Sequence, residues 1–106
     1  LDAVADAPEL IDARGSFVLG PAQPNPFNPR TRMDLTIPGS GPVKLQIVDA
    51  AGRIVATLLD GTLPGGESSV IWDGRNDAGR LVPSGVYYAR LDHAGQTRSG
   101  RLVMLK

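Results

Sequence analysis

Thr31-Arg32-Met33-Asp34-Leu35-Thr36-Ile37 is the stretch that decides the fold. Met33, Leu35 and Ile37 alternate with Arg32, Asp34 and Thr36, so one face is apolar and the other polar. A period of two is the signature of a half-buried β-strand. Beyond the turn Pro38-Gly39-Ser40-Gly41-Pro42 the alternation resumes, with Val43, Leu45 and Ile47 set against Lys44 and Gln46. Asp49-Ala50-Ala51-Gly52 reads as a hairpin loop, in which Gly52 suits a positive-φ position. Arg53 to Leu59 is then the return strand, with Ile54, Ala56 and Leu58 expected on the inner face.

The pattern continues downstream. Gly61 to Gly66 reads as a turn, and Ser68 to Asp73 as a strand with Val70 and Trp72 on one face. Gly74 to Arg80 is polar and turn-rich. Leu81-Val82-Pro83-Ser84-Gly85 leads into Val86 to Asp92, where Tyr87, Ala89 and Leu91 share a face. His93-Ala94-Gly95-Gln96 is a tight hairpin, and Thr97 to Leu105 is the last strand. Upstream, Ser16-Phe17-Val18-Leu19 fits a short first strand. The sum is about seven short strands with no amphipathic helix, which predicts an all-β sandwich of antiparallel strands. The Cys–Trp–Cys pattern of antibody domains is missing, since there is no cysteine.

Between the first two strands lies Gly20-Pro21-Ala22-Gln23-Pro24-Asn25-Pro26-Phe27-Asn28-Pro29, with four prolines in its last nine residues. Proline donates no ladder hydrogen bond and pushes its predecessor toward extended geometry. An irregular strap along the surface is expected, with Phe27, its one large apolar residue, plugged into the core. Leu1 to Gly15 is rich in Ala and Asp and reads as a linker or lead-in. A helical turn at Glu9 to Ala13 fits within it. The domain proper is expected over residues 16–106.

Composition narrows the function classes. The chain has 106 residues, enough for one core without staples. Eleven basic residues balance eleven acidic ones. That leaves no electrostatic footprint for nucleic acid, and no apolar run is long enough to insert into a membrane. Without cysteine there is neither thiol chemistry nor a Cys-metal site. Leu1 to Gly15 lacks the basic and apolar regions of an export signal, so such a signal is expected upstream.

Three blocks carry a family resemblance. They are Pro24-Asn25-Pro26-Phe27-Asn28-Pro29, then Val43 through Gly52 to Val55, then Trp72-Asp73-Gly74 running through Gly79 to Pro83-Ser84-Gly85-Val86-Tyr87-Tyr88. In this order the chain resembles the Ig-like domain family named after the flagellar hook-capping protein. It is also similar to the C-terminal secretion and sorting domains of exported bacterial proteins. The third block is nearer the hook-capping variety. The resemblance implies a non-catalytic accessory domain at the end of a larger secreted or cell-surface protein. Its expected partners are an upstream cargo domain and secretion or surface proteins. Recognition is expected through sheet edges and the final strand, Thr97 to Lys106.

Two further readings follow from the residues. Edge pairing or a donated strand containing Leu10 and Ile11 would make the domain a self-associating module of an extracellular assembly. A carbohydrate-binding module would need Trp72, Tyr87 or Tyr88 exposed together on one sheet face, with Tyr88 the residue expected outside. Asp73, Asn76 and Asp77 place three oxygen-bearing side chains on one loop, a pattern that invites calcium. The same residue types cap their own turns, which is the plainer expectation, and no other cofactor is implied. His93 is expected as a solvent-exposed turn residue with no catalytic partner. Tyr87, at the start of a strand, is expected to tie a sandwich corner through its hydroxyl.

Overall fold

The computed structural model describes residues 16–106. The expected lead-in, including Leu10 and Ile11, lies outside them. Seven strands run in order: β1 (Val18–Leu19), β2 (Thr31–Ile37), β3 (Gly41–Asp49), β4 (Ile54–Leu63), β5 (Gly66–Trp72), β6 (Gly85–His93) and β7 (Gln96–Met104). They form two antiparallel sheets, ordered β1-β2-β5 and β4-β3-β6-β7. The described residues contain no helix. This is the expected sandwich, divided three strands against four.

The alternation of β2 is realised residue by residue. Met33, Leu35 and Ile37 are buried, as are Val43, Leu45 and Ile47 from β3, and Ala89 and Leu91 from β6. Trp72 lies at the centre, with its ring 5.5 Å from Phe27 and 5.6 Å from Tyr87. Three aromatic rings packed at tilted and edge-on angles fill the space between the sheets.

Local reading and structure part in three places. The first strand pairs only over Val18–Leu19, opposite Thr36 and Leu35. The fourth strand runs on to Leu63, so the expected turn of Gly61 to Gly66 contracts to Pro64-Gly65. Ile54 faces solvent rather than the core. The register of β3 against β4 slips between Leu45 and Gln46 and again between Ile47 and Val48. Each bulge moves the side-chain alternation by one residue, so a strict period of two misplaces residues on β4.

His93 corrects a fourth expectation. It ends β6 rather than capping an exposed tip, and only 8% of it is accessible. Its Nδ1 lies 2.9 Å from the Pro42 carbonyl, and its ring is 5.7 Å from Phe17. The hairpin tip is the two-residue Ala94-Gly95, both at positive φ. That pair fits the twist of the flanking strands. His93, one residue earlier, therefore keeps the inward alternation of Tyr87, Ala89 and Leu91.

Candidate functional site

Two regions gather the residues that sequence marked out: the proline strap and the loop between β5 and β6. The strap joins the sheets. Gln23 exchanges both backbone hydrogen bonds with Arg32, at 2.9 and 3.0 Å, along the edge of β2. Thr31 Oγ1, buried, donates to the Pro24 carbonyl at 2.8 Å. The strap then reaches β7. Asn25 Nδ2 donates to Arg101 O and Asn25 Oδ1 accepts from Val103 N, both at 2.9 Å. Phe27 N donates to Val103 O, and Leu105 N donates to Phe27 O. The carboxamide of Asn25 thus stands in for a peptide group, and a chain with prolines at 24, 26 and 29 still satisfies a strand edge. Phe27, 2% exposed, plugs the core beneath.

The third block builds the opposite corner. Trp72 Nε1 donates to Arg75 O at 2.9 Å, and Asp73 Oδ1 accepts from Arg75 N. Gly74 has φ +78°, and a Cβ there would sit 2.7 Å from Pro29 O. Both its conformation and its surroundings require glycine. Asn76 Oδ1 accepts from Ala78 N and Arg80 N, in a loop that Gly79 completes, its N–H donating to Asn76 O. Asp77 reaches across to β4, where its Oδ1 accepts from Thr57 N while its own N–H donates to Val55 O. Asp73, Asn76 and Asp77 therefore point their bonded oxygens at separate backbone donors. Among the described residues, no cluster of three or more His, Cys, Asp or Glu side chains is placed to hold a metal.

Tyr87 closes this corner. Its hydroxyl donates to the Pro83 carbonyl at 2.7 Å, just beyond Gly85. Burial, with a smaller contribution from the Asp49 charge, pushes the phenol above its ordinary 10.0. Asp49 is driven the other way. The Arg53 backbone N–H contributes most, then the Ala51 N–H and the Arg53 guanidinium, against an opposing effect of desolvation. Gly52, at φ +86°, allows the tight return that brings these donors to the carboxylate. Asp49, Arg53, Val55, Asp77, Val82 and Tyr87 help line an open cleft of about 640 Å³. It is a mixed apolar and polar concavity without a nucleophile–base pair.

The surfaces sort the remaining expectations. Trp72 and Tyr87 are inside, and Tyr88 alone of the three is exposed, at 38%. The aromatic platform that a carbohydrate-binding module needs is not formed. The final strand is also not a free edge along its C-terminal part. Arg98 donates to Phe17 O with its guanidinium 4.6 Å from the Phe17 ring centroid, and the strap covers Arg101 to Leu105. Sequence reasoning missed this sealing because Asn25 does not read as a strand residue. It also missed the accessible Ile71 on β5, whose alternation was legible as Val70 and Trp72 pointing in.

Comparison with known proteins places the chain. The model of the FlgD Ig-like domain matches residues 29–96, more than half of it. The chain belongs to this family of immunoglobulin-like domains. Among solved structures it is similar to FlgD from Xanthomonas campestris, described for its hook capping in flagellar assembly. There the identity is 27% and the TM-score 0.56, covering 81% of this chain and 64% of that one. It also resembles FlgD from P. aeruginosa, at 26% identity and TM-score 0.52, covering 70% of this chain and 58% of that one. The fold is shared with dimeric latent PorU from Porphyromonas gingivalis, at 17% identity and TM-score 0.63, covering 82% of this chain and 9% of that one. In each case the chain spans less than two thirds of its relative. No curated protein matched the chain in sequence comparison.

Proposed function

We propose that the chain is a non-catalytic accessory domain of an exported bacterial protein, acting in secretion and sorting or in attachment at the cell surface. Membership of the FlgD Ig-like family over residues 29–96 is the observation that carries this reading. The likeness to PorU supports it, because there the comparable fold occupies a small part of a much larger chain. So does the likeness to PorZ of Porphyromonas gingivalis, described as a surface component of the type IX secretion system. That match has 19% identity and TM-score 0.54, and covers 80% of this chain and 11% of that one.

The chemistry of the domain agrees. Asn25, Asp49, Asn76 and Asp77 are committed to turns and edges, and the one histidine holds a backbone carbonyl. What it offers a partner is folded surface. The test is sufficiency. A reporter bearing an export signal at its N-terminus and residues 16–106 at its C-terminus is expressed in the organism that encodes the chain. Protease-accessible reporter at the cell surface or in the medium is expected. A reporter retained inside the cell envelope would reject the reading.

A further inference from the structure

An Ig-like sandwich has lateral strand edges, and an open edge is a template for pairing with another chain. In this domain most of that edge is closed by identifiable devices. On β7, Asn25 and Phe27 take the free side from Arg101 to Leu105, and the Arg98 guanidinium is bonded to Phe17 O. The free side of β2 is taken by β1, Gly20 and Gln23. On β4, Asp77 bonds to Val55 and Thr57, two register slips distort the strand, and exposed Asp60 sits in its middle.

β5 has no covering segment and no slip, and its one charged side chain, Glu67, lies near its start. It pairs with β2 over all seven residues without a slip, from Gly66 opposite Ile37 to Trp72 opposite Thr31. No described loop donates to or accepts from its other backbone edge. Gly66-Glu67-Ser68-Ser69-Val70-Ile71-Trp72 contains no proline and no lysine. Ile71 is 62% exposed on the outer face, while Val70, beside it on the inner face, is only partly covered.

We infer that β5 pairs antiparallel with β5 of a second copy of this chain, about a two-fold axis at Ser69, extending the three-stranded sheet across both molecules. Register and charge select this occupant. With Ser69 opposite Ser69, all seven residues of each strand find a partner, Gly66 facing Trp72 and Ser68 facing Val70. The parity is right as well, because Glu67, Ser69 and Ile71 stay outside and Ser68 and Val70 stay inside.

In this register Ile71 of one copy lies beside Glu67 of the other. On its far side stands Arg32, its partner in β2. A row Arg32–Ile71–Glu67 results, in which opposite charges about 10 Å apart flank an apolar side chain. The two-fold axis repeats the row. Moving the axis to Val70 would put Glu67 opposite Asp73, two carboxylates face to face, which is destabilising. Moving it to Ser68 would leave Ile71 beyond the end of the paired strand. An isologous contact of this kind closes as a dimer and does not propagate through β5.

The test uses charge at position 71. Sedimentation equilibrium of the 106-residue chain is run up to about 1 mM, a range that detects weak pairing. The wild type is expected to dimerise reversibly. Ile71→Glu sets like charges opposite Glu67 at two symmetric places and is expected to weaken the dimer by about tenfold or more. Ile71→Lys, which meets Glu67 with the opposite sign, is expected to retain it. Glu67→Lys added to Ile71→Glu is expected to restore it. These side chains are exposed, so all the variants are expected to stay folded, with Ile71→Lys melting slightly lower because Arg32 stands opposite it in β2. A wild type that stays monomeric throughout would overturn the inference. So would a dimer on which Ile71→Glu and Ile71→Lys act alike, since the register would then be wrong. Capture of a different protein by β5, with no self-association, would also overturn it.

Discussion

Phe27→Ala should remove a large part of the domain's stability. The ring is 2% exposed and stacks at a tilt on Trp72, with centroids 5.5 Å apart. Truncating a buried phenylalanine costs about 3–5 kcal/mol, with the larger values where neighbours cannot move into the cavity. Here they are held. Trp72 is fixed by its bond to Arg75 O, and Tyr87 by its bond to Pro83 O. A loss of about 4 kcal/mol is therefore expected, against a total of about 5–15 kcal/mol for a domain. In urea, with a slope of about 2 kcal/mol/M, the midpoint should fall by about 2 M. Phe27→Leu, which keeps most of the volume, should lose far less. A loss below about 1 kcal/mol at unchanged slope would mean that Phe27 does not anchor the strap.

Four other outcomes follow from the same geometry. Asn25→Ala deletes two exposed hydrogen bonds and should cost about 1–2 kcal/mol, with faster hydrogen exchange at the Val103 amide. Tyr87→Phe should cost about 1 kcal/mol at neutral pH. Because the Tyr87 phenol is raised above 10.0 in the folded state, its contribution is intact below pH 10 and lost as pH rises through the folded value. Alkaline melts should show a decline that Tyr87→Phe reduces. Asp49 behaves oppositely. Held below its ordinary 3.8, it contributes above that pH and loses its contribution as pH falls through the lower folded value, so Asp49→Ala should flatten that part of an acid titration. Calcium titrated against the chain should give no heat and no rise in melting temperature, because the bonded oxygens of Asp73, Asn76 and Asp77 serve separate backbone donors.

The two-sheet fold was readable because burial imposes a period of two on strands with one solvated face. Met33, Leu35 and Ile37 show it without exception. The reading failed on β4 because each bulge resets the period, and no residue type there announces a bulge. It failed at His93 because a short hairpin tip needs two residues, not four, so the histidine kept its place in the ladder. The strap was legible as irregular and anchored by Phe27, but its partner was not. Which edge an extended segment seals depends on contacts between residues more than seventy positions apart, such as Asn25 with Arg101 and Val103. The consequence was large. The end of the final strand, Arg101 to Leu105, is covered by the strap, whereas β5 is open along its whole length among the described residues.

The proposal of an export or attachment domain is tested most directly by necessity in the parent protein. The full-length protein is produced in its own organism with and without residues 16–106, and the cell envelope and medium are fractionated. The account predicts that the shortened protein is made but fails to reach, or to remain at, the cell surface. Unchanged secretion and surface retention without the domain would contradict it.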